Sequence, residues 1–468
     1  MRISDILSMI KMNFLLGLVV VLVLYTIMCI GYFFVYKKML GGSKKFNKKK
    51  TIIWAVFIGY LIVVIDVTFL NRGPGIYENS ANFYFLSTYR GAWNTLNYRS
   101  WQLIILNILL FVPLGIFLPI IHNKFYNIFM TLVLGFMITL IIESTQLLTG
   151  FGVFDIDDIF NNTLGTAVGY SLSMSAIEIL HKRKNRKLNI LMYLSPAIVV
   201  ASIFIGNFTY YNLKEFGNLT VNYNYRVDMK DAEVSTDLEF SAERINVPIY
   251  KAPTYTKQTA KEFAIDFLKN INIDVENLEI IDYSDASVYW VRGEPSYNIW
   301  LDYLDGSYRY TVFSGSDEKI EQVNMEENTL IENLSRFNID VPENAVYSSV
   351  DTGTYQWMVD MEIKDDYLVD GFLSCTYCSD IGIKNVTNNL IVYKKIKDAE
   401  VISEAEAYKK LIDGKFKRSN LSSTIKTINI TKVVMDYSLD SKGFLQPVYI
   451  FYSLINDKET AIVIPALQ

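Results

Sequence analysis

Six long apolar stretches in the first half of the chain set the strongest limit on its fold. A helix needs about 20 consecutive apolar residues to cross the hydrocarbon core of a bilayer. Each stretch reaches that length or comes close to it, although the fifth carries Glu178 and several serines. We therefore predict an α-helical polytopic membrane bundle of about six spans, at residues 14–36, 51–70, 103–121, 128–148, 163–180 and 188–208.

Charge is divided unevenly between the two halves of the chain. Residues 1–208 contain 18 Lys and Arg against 8 Asp and Glu, so they carry a net charge of +10, and the total of −5 leaves −15 for residues 209–468. A basic, apolar half joined to an acidic half excludes a single soluble domain, a disordered chain and a nucleic-acid-binding protein. The three cysteines exclude a disulfide framework.

Two runs of Lys and Arg predict the orientation of the bundle. One run joins the first and second spans at 37–50, and the other joins the fifth and sixth at 182–187. Cationic loops stay on the cytoplasmic side of a membrane, and an even number of crossings separates the two runs. We therefore predict a multi-pass protein of the cell membrane, with an outer segment at 1–13, the bundle at 14–208 and an extracytoplasmic domain at 209–468.

Charged and amide side chains gather at the predicted outer end of the bundle. An ionised side chain inside a bilayer costs about 2.5–3.5 kcal/mol, so these groups should face the bundle interior or water. Arg72 is the natural countercharge for Glu143 or for the acidic loop. Two interpretations stay open: the groups tie helix ends together, or they form an outward-facing polar pocket for a ligand headgroup. The candidate residues are Arg72, Asn107, Glu143, Gln146, Asp155, Asp158 and Asn162, beside Asp66 and Asp157.

Small residues and prolines predict how the spans pack. Pro113 is expected to kink the third span just before Gly115, a distortion that neighbouring helices can satisfy. Gly165 and Gly169 form a small-xxx-small face that lets another helix backbone approach closely.

Three strings of this region resemble the VanZ-like family, which is named for a teicoplanin-resistance membrane protein. They are Asn-Ile-Leu-Leu-Phe-Val-Pro-Leu-Gly at 107–115, Glu-Ser-Thr-Gln at 143–146, and the 155–170 segment that begins Asp-Ile-Asp-Asp. A fourth string, Asn-Phe-Tyr-Phe at 82–85, resembles the family's Asn-x-Pro-Phe loop. The resemblance covers roughly residues 50–185. It implies a polytopic membrane protein that lowers susceptibility to glycopeptide antibiotics, and it supplies no reaction.

One family position is not matched. The family often has an Arg just before the acidic loop, near Gly152, and this chain has none there. Any role of that Arg would pass to Arg72, Arg90 or Arg99, or be lost.

The chemistry open to the polar cluster is narrow. The only histidines, His122 and His181, fall on the predicted cytoplasmic side, so the outer cluster has no His for a Ser-His triad or a zinc site. Carboxylate acid/base chemistry by Glu143 or Asp158, or a carboxylate-bound Mg²⁺ or Ca²⁺, stays open. We predict no resident cofactor and no metal centre, and we assign no catalytic residue.

The domain at 209–468 has the patterns of an α+β fold with repeated helix-plus-sheet modules. Alternation over 234–240 predicts a half-buried strand, and apolar residues at helical spacing over 260–271 predict an amphipathic helix. Asp305-Gly306 predicts a hairpin, and Ser403 with Glu406 forms a capping box for a further helix. The sequence Asn-Ile-Asp-Val recurs at 272–275 and 338–341, which suggests a subdivision near 318–325.

This organisation resembles the PepSY-type and YycH/YycI-type extracytoplasmic domains of Gram-positive regulators. Strings at 402–407 and 445–449 carry that resemblance. The net charge of −15 opposes electrostatic attachment to anionic wall polymers and favours contact with a protein or a cationic partner.

Cys375 and Cys378 form a lone Cys-x-x-Cys within a predicted strand. A redox pair is one reading, and a local disulfide or two buried thiols are the favoured alternatives.

Three functions stay open on the sequence. The first is a non-enzymatic envelope protein whose polar pocket receives a lipid-linked envelope precursor or a glycopeptide. The second is a membrane enzyme that remodels an envelope lipid or precursor by carboxylate catalysis. The third is a membrane-anchored regulator whose outer domain acts on a membrane protein partner.

Overall fold

The computed structural model describes residues 19–43, 45–70, 80–96, 98–181, 186–314, 321–418 and 424–467. The chain divides into two compact units, one that ends at Glu215 and one that runs over Phe216–Gln468. Arg72, proposed above as a countercharge, lies outside the described residues.

The first unit is helical. Within the residues listed above, five helices are long and apolar enough to span a membrane: α1 (Val19–Met39), α2 (Lys48–Phe69), α4 (Tyr98–Ile121), α5 (Ile128–Thr149) and α7 (Arg186–Leu213). Between them lie a short helix, α3 (Ser87–Thr95), and the long helix α6 (Ile156–His181). The predicted fifth span lies within α6, so the helices agree with a bundle of about six spans.

Helices α4 and α6 pack backbone against backbone. A Cβ atom added to Gly165 would lie 2.0 Å from the carbonyl oxygen of Ile108, and one added to Gly169 would lie 2.0 Å from that of Val112. From the other side, a Cβ atom on Gly115 would lie 2.1 Å from the carbonyl oxygen of Thr166. Only glycine permits this approach, since any side chain would enter the space of the opposing backbone.

Helix α4 continues through Pro113 as well as Pro119. The hydroxyl of Tyr60, on α2, donates a hydrogen bond of 2.9 Å to the carbonyl oxygen of Leu110 in the turn before Pro113. This contact gives the turn that precedes the proline a partner from a neighbouring helix.

Over its described residues, the second unit contains three helices and a fourteen-stranded sheet. The helices are α8 (Lys257–Asn270), α9 (Glu327–Ser335) and α10 (Glu404–Ile412). Two short strands of the helical unit, β1 (Ala81–Asn82) and β2 (Phe154–Asp155), come first in the numbering. The sheet strands are β3 (Glu233–Thr236), β4 (Asn246–Lys251), β5 (Leu278–Asp282), β6 (Ala286–Val291), β7 (Ser296–Asp302), β8 (Tyr308–Phe313), β9 (Val346–Asp351), β10 (Thr354–Lys364), β11 (Tyr367–Cys378), β12 (Gly382–Asn388), β13 (Ile391–Glu400), β14 (Thr427–Leu439), β15 (Phe444–Ile455) and β16 (Lys458–Pro465).

The strand order is β3-β14-β15-β4-β13-β11-β12-β8-β7-β6-β5, with β10 also paired to β11, β9 to β10, and β16 to β15. Each helix is followed in the chain by a run of antiparallel strands, which confirms the predicted helix-plus-sheet modules. Helices α8 and α9 lie on one core, because Leu268 and Leu330 both pack with Trp357. Residues on both sides of 318–325 therefore share a single core.

The repeated Asn-Ile-Asp-Val string marks two helix ends of the same kind. Asn272 and Asn338 have φ values of 58° and 57°, which is the left-handed conformation that ends many helices. The amide of Ile273 bonds back to the carbonyl of Leu268, and the second copy makes the equivalent bond. Both are Schellman motifs, with Asn in the place that glycine usually occupies.

Other local predictions are confirmed, with one exception. The hairpin joins β7 to β8 with Leu301 opposite Tyr308, and Ser403 and Glu406 form the capping box of α10. The strand predicted over 234–240 was wrong beyond residue 236, since β3 covers only Glu233–Thr236. The amide of Leu238 bonds to the hydroxyl of Thr236 and turns the chain away from the sheet.

Both cysteines of the Cys-x-x-Cys motif are free and buried in β11. A register shift between Thr376 and Tyr377 allows both to be buried despite their spacing. Burial raises the pKa of the Cys375 thiol to about 12, so this thiol is a weak nucleophile at neutral pH.

Candidate functional site

The acidic loop is held to the loop before α3 by two short parallel strands. In β1 and β2, Asn82 lies opposite Asp155, and its side-chain amide donates to the Asp155 carboxylate at 3.1 Å. The hydroxyl of Thr88 reaches the same carboxylate oxygen at 3.4 Å. The segment at 82–85 and the acidic loop are about 70 residues apart in sequence, and this pairing brings them into contact.

Asp155 also connects the loop to α5 and α6. Its backbone amide donates to the Glu143 carboxylate at 3.1 Å, and its own carboxylate accepts from the amide of Asp157 at 2.8 Å. Burial raises the pKa of the Asp155 carboxyl, and its hydrogen bonds oppose that shift. The residue is half-buried, and both of its carboxylate oxygens accept hydrogen bonds.

Asp157 holds the start of α3. Its carboxylate accepts from the amides of Leu86 at 2.6 Å and Thr88 at 2.9 Å, and the side chain is fully buried. An anion at this point satisfies unpaired amides and meets the positive end of the helix dipole. Asp157 is therefore a cap that comes from another helix. The sequence placed it in the acidic cluster without assigning this role.

Asn107 and Asp158 meet across α4 and α6. The Asn107 amide donates to the Asp158 carboxylate at 2.5 Å. One turn further along α6, the hydroxyl of Tyr89 donates to the side-chain oxygen of Asn161. Tyr89 and Asn161 were missed by the sequence reasoning, although Asn161 belongs to the string that carries the family resemblance.

The remaining predicted amides lie deeper among the helices. Asn162 donates to the hydroxyl of Thr139 at 2.8 Å, and Gln146 donates to the backbone carbonyl of Thr68 at 3.0 Å. Glu143 and Gln146 are each only 3% exposed. Gln146 thus joins α5 to α2, apart from the acidic loop.

Hydrogen-bonding capacity is left over at two buried asparagines of α6. Among the described residues, Asn161 Nδ2 and Asn162 Oδ1 are buried and have no hydrogen-bond partner. A buried polar atom without a partner costs about 1–3 kcal/mol. A polar group that reached either of these atoms would gain the hydrogen bond that the atom lacks.

The structure places Asn107, Glu143, Asp155, Asp158 and Asn162 around the α5–α6 connection. The alternative cations Arg90 and Arg99 have exposed side chains. No group of three or more His, Cys, Asp or Glu within the described ranges is arranged to hold a metal ion.

One family model matches part of the helical unit. Residues 57–179 match the VanZ/LLP1 family model. This VanZ-like domain contains α4, α5 and nearly all of α6, and it includes every residue of the polar cluster. The resemblance stated from the sequence is thereby confirmed over these residues.

Two solved structures have similarity to the chain at low identity. An uncharacterised protein from Eubacterium rectale is 10% identical, over 51% of this chain and 90% of that one, with a TM-score of 0.24. The C-terminal domain of YpeB from Bacillus megaterium is 15% identical, over 46% and 94%, with a TM-score of 0.17. At these TM-scores neither carries an argument. No curated protein matches the chain.

Proposed function

We propose that this VanZ-like membrane protein acts in the bacterial envelope without catalysis and lowers susceptibility to teicoplanin. In this proposal the polar cluster around the α5–α6 connection faces outward. It receives the headgroup of a lipid-linked envelope precursor or of the glycopeptide itself, and the sheet unit is extracytoplasmic.

The way the carboxylates are bonded is the observation that carries a binding role. Asp157 and Glu143 are buried and accept hydrogen bonds from backbone amides, which fixes the loops around them. A general acid or base must instead reach the proton that it transfers. Carboxylates committed to backbone donors suit a rigid recognition site better than catalysis.

The groups that remain accessible suit a polar headgroup. Asp155 is partly exposed, and a carboxylate that already holds hydrogen bonds can still accept from an amine or a hydroxyl, because its two oxygens offer about four lone-pair sites. Within α6, Asn161 Nδ2 and Asn162 Oδ1 offer one donor and one acceptor. Amines, amides and sugar hydroxyls, which glycopeptides and envelope precursors carry, match this set.

Substitution of the cluster tests the proposal. Glu143→Gln and Asp158→Asn should each return cells to the teicoplanin susceptibility of cells that lack the protein, at equal expression. Glu178→Gln is the matched control, because Glu178 is also a buried carboxylate on α6 but bonds to Asn189 at 2.8 Å, away from the cluster. Full resistance in both cluster variants would contradict the proposed pocket.

The orientation has its own test. A single cysteine introduced at residue 155 in a Cys-free background should react with a membrane-impermeant maleimide added to whole cells. Labelling only after the cells are lysed would place the cluster in the cytosol and remove the proposed function.

Carboxylate catalysis is the second candidate, because burial raises the pKa of half-exposed Asp155 toward values that suit proton transfer. This candidate predicts that the lipid or precursor profile of cell extracts changes when the protein is expressed. The change should disappear with Asp155→Asn. An unchanged profile would contradict catalysis, and binding would then be the remaining proposal.

A further inference from the structure

One face of the sheet is open along β7, β8 and β12. The opposite face is covered, with Leu268 of α8 packed in the core beside Tyr310. On the open side, Trp300 lies opposite Arg309 in the β7–β8 register, and Arg309 lies opposite Thr387. Partners in register point to the same side of a sheet, so these three side chains form one row.

A second row of uncharged side chains runs beside the first. Asn298 lies opposite Thr311, and Thr311 lies opposite Asn385. All of these side chains except Asn385 line an open cavity of about 480 Å³, which we call the open-face cavity. Asp302 and Phe313 also line it.

Aromatic rings give the open-face cavity flat apolar walls. Trp300 is 45% exposed and Phe313 is 42% exposed. The indole of Trp300 is stacked on Tyr283 with 5.1 Å between ring centroids and 20° between planes, which holds it in place. A fixed ring of this size supplies a large apolar contact at low entropic cost, and it suits the C–H face of a pyranose sugar.

The polar groups of the cavity are free to bind. Within the described residues, the side chains of Asn298, Thr311 and Thr387 make no hydrogen bond, and exposed Arg309 makes no ion pair. Asp302 also lines the cavity, but its carboxylate accepts from the amide of Leu304 at 2.8 Å. Arg309 is therefore the cation among the described lining residues, and amides, hydroxyls and the hydrogen-bonded Asp302 carboxylate share the cavity with it.

We propose that the open-face cavity binds a glycan whose sugars are mostly neutral and carry isolated carboxylates. Trp300 would stack on a sugar ring, the amides and hydroxyls would bond to its N-acetyl and hydroxyl groups, and Arg309 would pair with a carboxylate in a bidentate geometry. This inference concerns the sheet unit alone, and its binding test does not depend on the proposed function of the helical unit.

The charge of the sheet unit favours a sparsely charged glycan over a densely charged polyanion as the ligand. The net charge of −15 on residues 209–468 repels a densely charged polymer at long range. A single Arg in an uncharged surface is complementary to a single carboxylate. A poly(glycerol phosphate) carries its charges closer together than a glycan with a carboxylate on every second sugar, so more of its charges would lie on the acidic unit without a cation.

Calorimetric titration of the full-length protein in lipid nanodiscs tests the inference. The probe is a tetrasaccharide of alternating N-acetylglucosamine and N-acetylmuramic acid, whose lactyl groups carry carboxylates. Chitotetraose is the uncharged comparison, and a poly(glycerol phosphate) oligomer is the polyanion. The acidic tetrasaccharide should bind about tenfold more tightly than chitotetraose, because chitotetraose cannot form the hydrogen-bonded charge pair with Arg309. The poly(glycerol phosphate) oligomer should not bind.

Variants assign the binding to the open-face cavity. Arg309→Gln should weaken binding of the acidic tetrasaccharide about tenfold and leave chitotetraose unchanged. Trp300→Ala should weaken both. Arg336→Gln makes the same charge change on exposed Arg336 at the end of α9, on the covered side of the sheet, and should bind like the unsubstituted protein.

Three results would overturn the inference. They are no binding of the acidic tetrasaccharide, equal affinity for it and chitotetraose, and binding that Arg309→Gln leaves intact. Tight binding of the poly(glycerol phosphate) oligomer would instead identify a polyanion site and contradict the charge argument.

Discussion

The two units differ in the share of polar side chains among their buried residues. The centre of the sheet unit is apolar and aromatic, and Trp357, Tyr289 and Phe451 are fully buried there. The centre of the helical unit mixes apolar side chains, such as Phe111 and Leu114, with polar ones, and α6 supplies most of the polar ones. The buried polar side chains of α6 are Asp157, Asn161, Asn162, Thr166, Ser171, Ser173, Ser175 and Glu178.

This difference follows from the solvent around each unit. In water, burial of apolar surface drives folding. Between helices in lipid that drive is missing, so close contact of small residues and interhelical hydrogen bonds hold the helices together. The low hydropathy of α6 is therefore the mark of a helix surrounded by other helices rather than of a missing span.

The largest effect is expected from truncation in the sheet core. Phe451→Ala should cost about 3–5 kcal/mol, because a fully buried aromatic side chain leaves a cavity. Hydrogen exchange of amides in β14, β15 and β16 should rise strongly. Tyr452→Ala, at the exposed neighbouring position, should leave exchange almost unchanged. Similar exchange in both variants would contradict an apolar core here.

In the helical unit, addition of a single methyl group between two helices should lower stability. Gly165→Ala places a Cβ against the Ile108 carbonyl and should destabilise the α4–α6 pair by about 1–3 kcal/mol. Gly206→Ala in α7 has open space around it and should be neutral or slightly stabilising. Thermal stability in detergent, followed by size-exclusion chromatography, would measure both. Equal midpoints would refute the backbone contact.

The polar bonds of the bundle should contribute less per group. Asp157→Asn keeps the size of the side chain but removes the charge that caps α3, at a cost of about 1–2 kcal/mol. Hydrogen exchange should rise in residues 87–95 and stay unchanged in α5. Unaltered exchange in α3 would show that the cap is dispensable.

The smallest effect is expected at the surface of the sheet unit. Hydrogen bonds from Arg244 and from the Ser403 amide lower the pKa of the Glu406 carboxyl from 4.5 to about 2. A depressed carboxyl pKa stabilises the fold above the unfolded value, and this contribution is lost as pH falls from about 4.5 toward 2. Exchange in α10 should rise over that range.

The variant Glu406→Gln gives the control for that experiment. It should remove the part of the pH dependence that belongs to α10, while exchange elsewhere in the sheet unit keeps its dependence. The same rise in α10 with and without the carboxyl would assign the effect to another group.

The elements set by short stretches of chain could be predicted from the sequence. The apolar spans, the capping box at Ser403 and the paired Asn-Ile-Asp-Val helix ends depend on residues within a turn or two of each other. The strand predicted over 234–240 failed because alternation alone does not show whether a neighbouring strand continues. Here β3 pairs with β14 only as far as Thr236.

The candidate site shows the same division. Glu143, Asp155 and Asp158 could be predicted as candidates because each lies near the end of an apolar stretch. The sequence could not show which carboxylate binds a ligand and which caps a helix. Only the pairing of Asn82 with Asp155 brings α3 onto the carboxylate of Asp157. That pairing joins segments about 70 residues apart, which no local pattern encodes.

The sequence by itself determined which segments are membrane helices, where helices of the sheet unit begin and end, and which glycines let helices touch. These properties follow from composition and short-range hydrogen bonding. The tertiary structure decided that the acidic loop caps α3 and that Trp300 and Arg309 share one open face. Such neighbours arise from strand register and helix packing, which depend on contacts between distant parts of the chain.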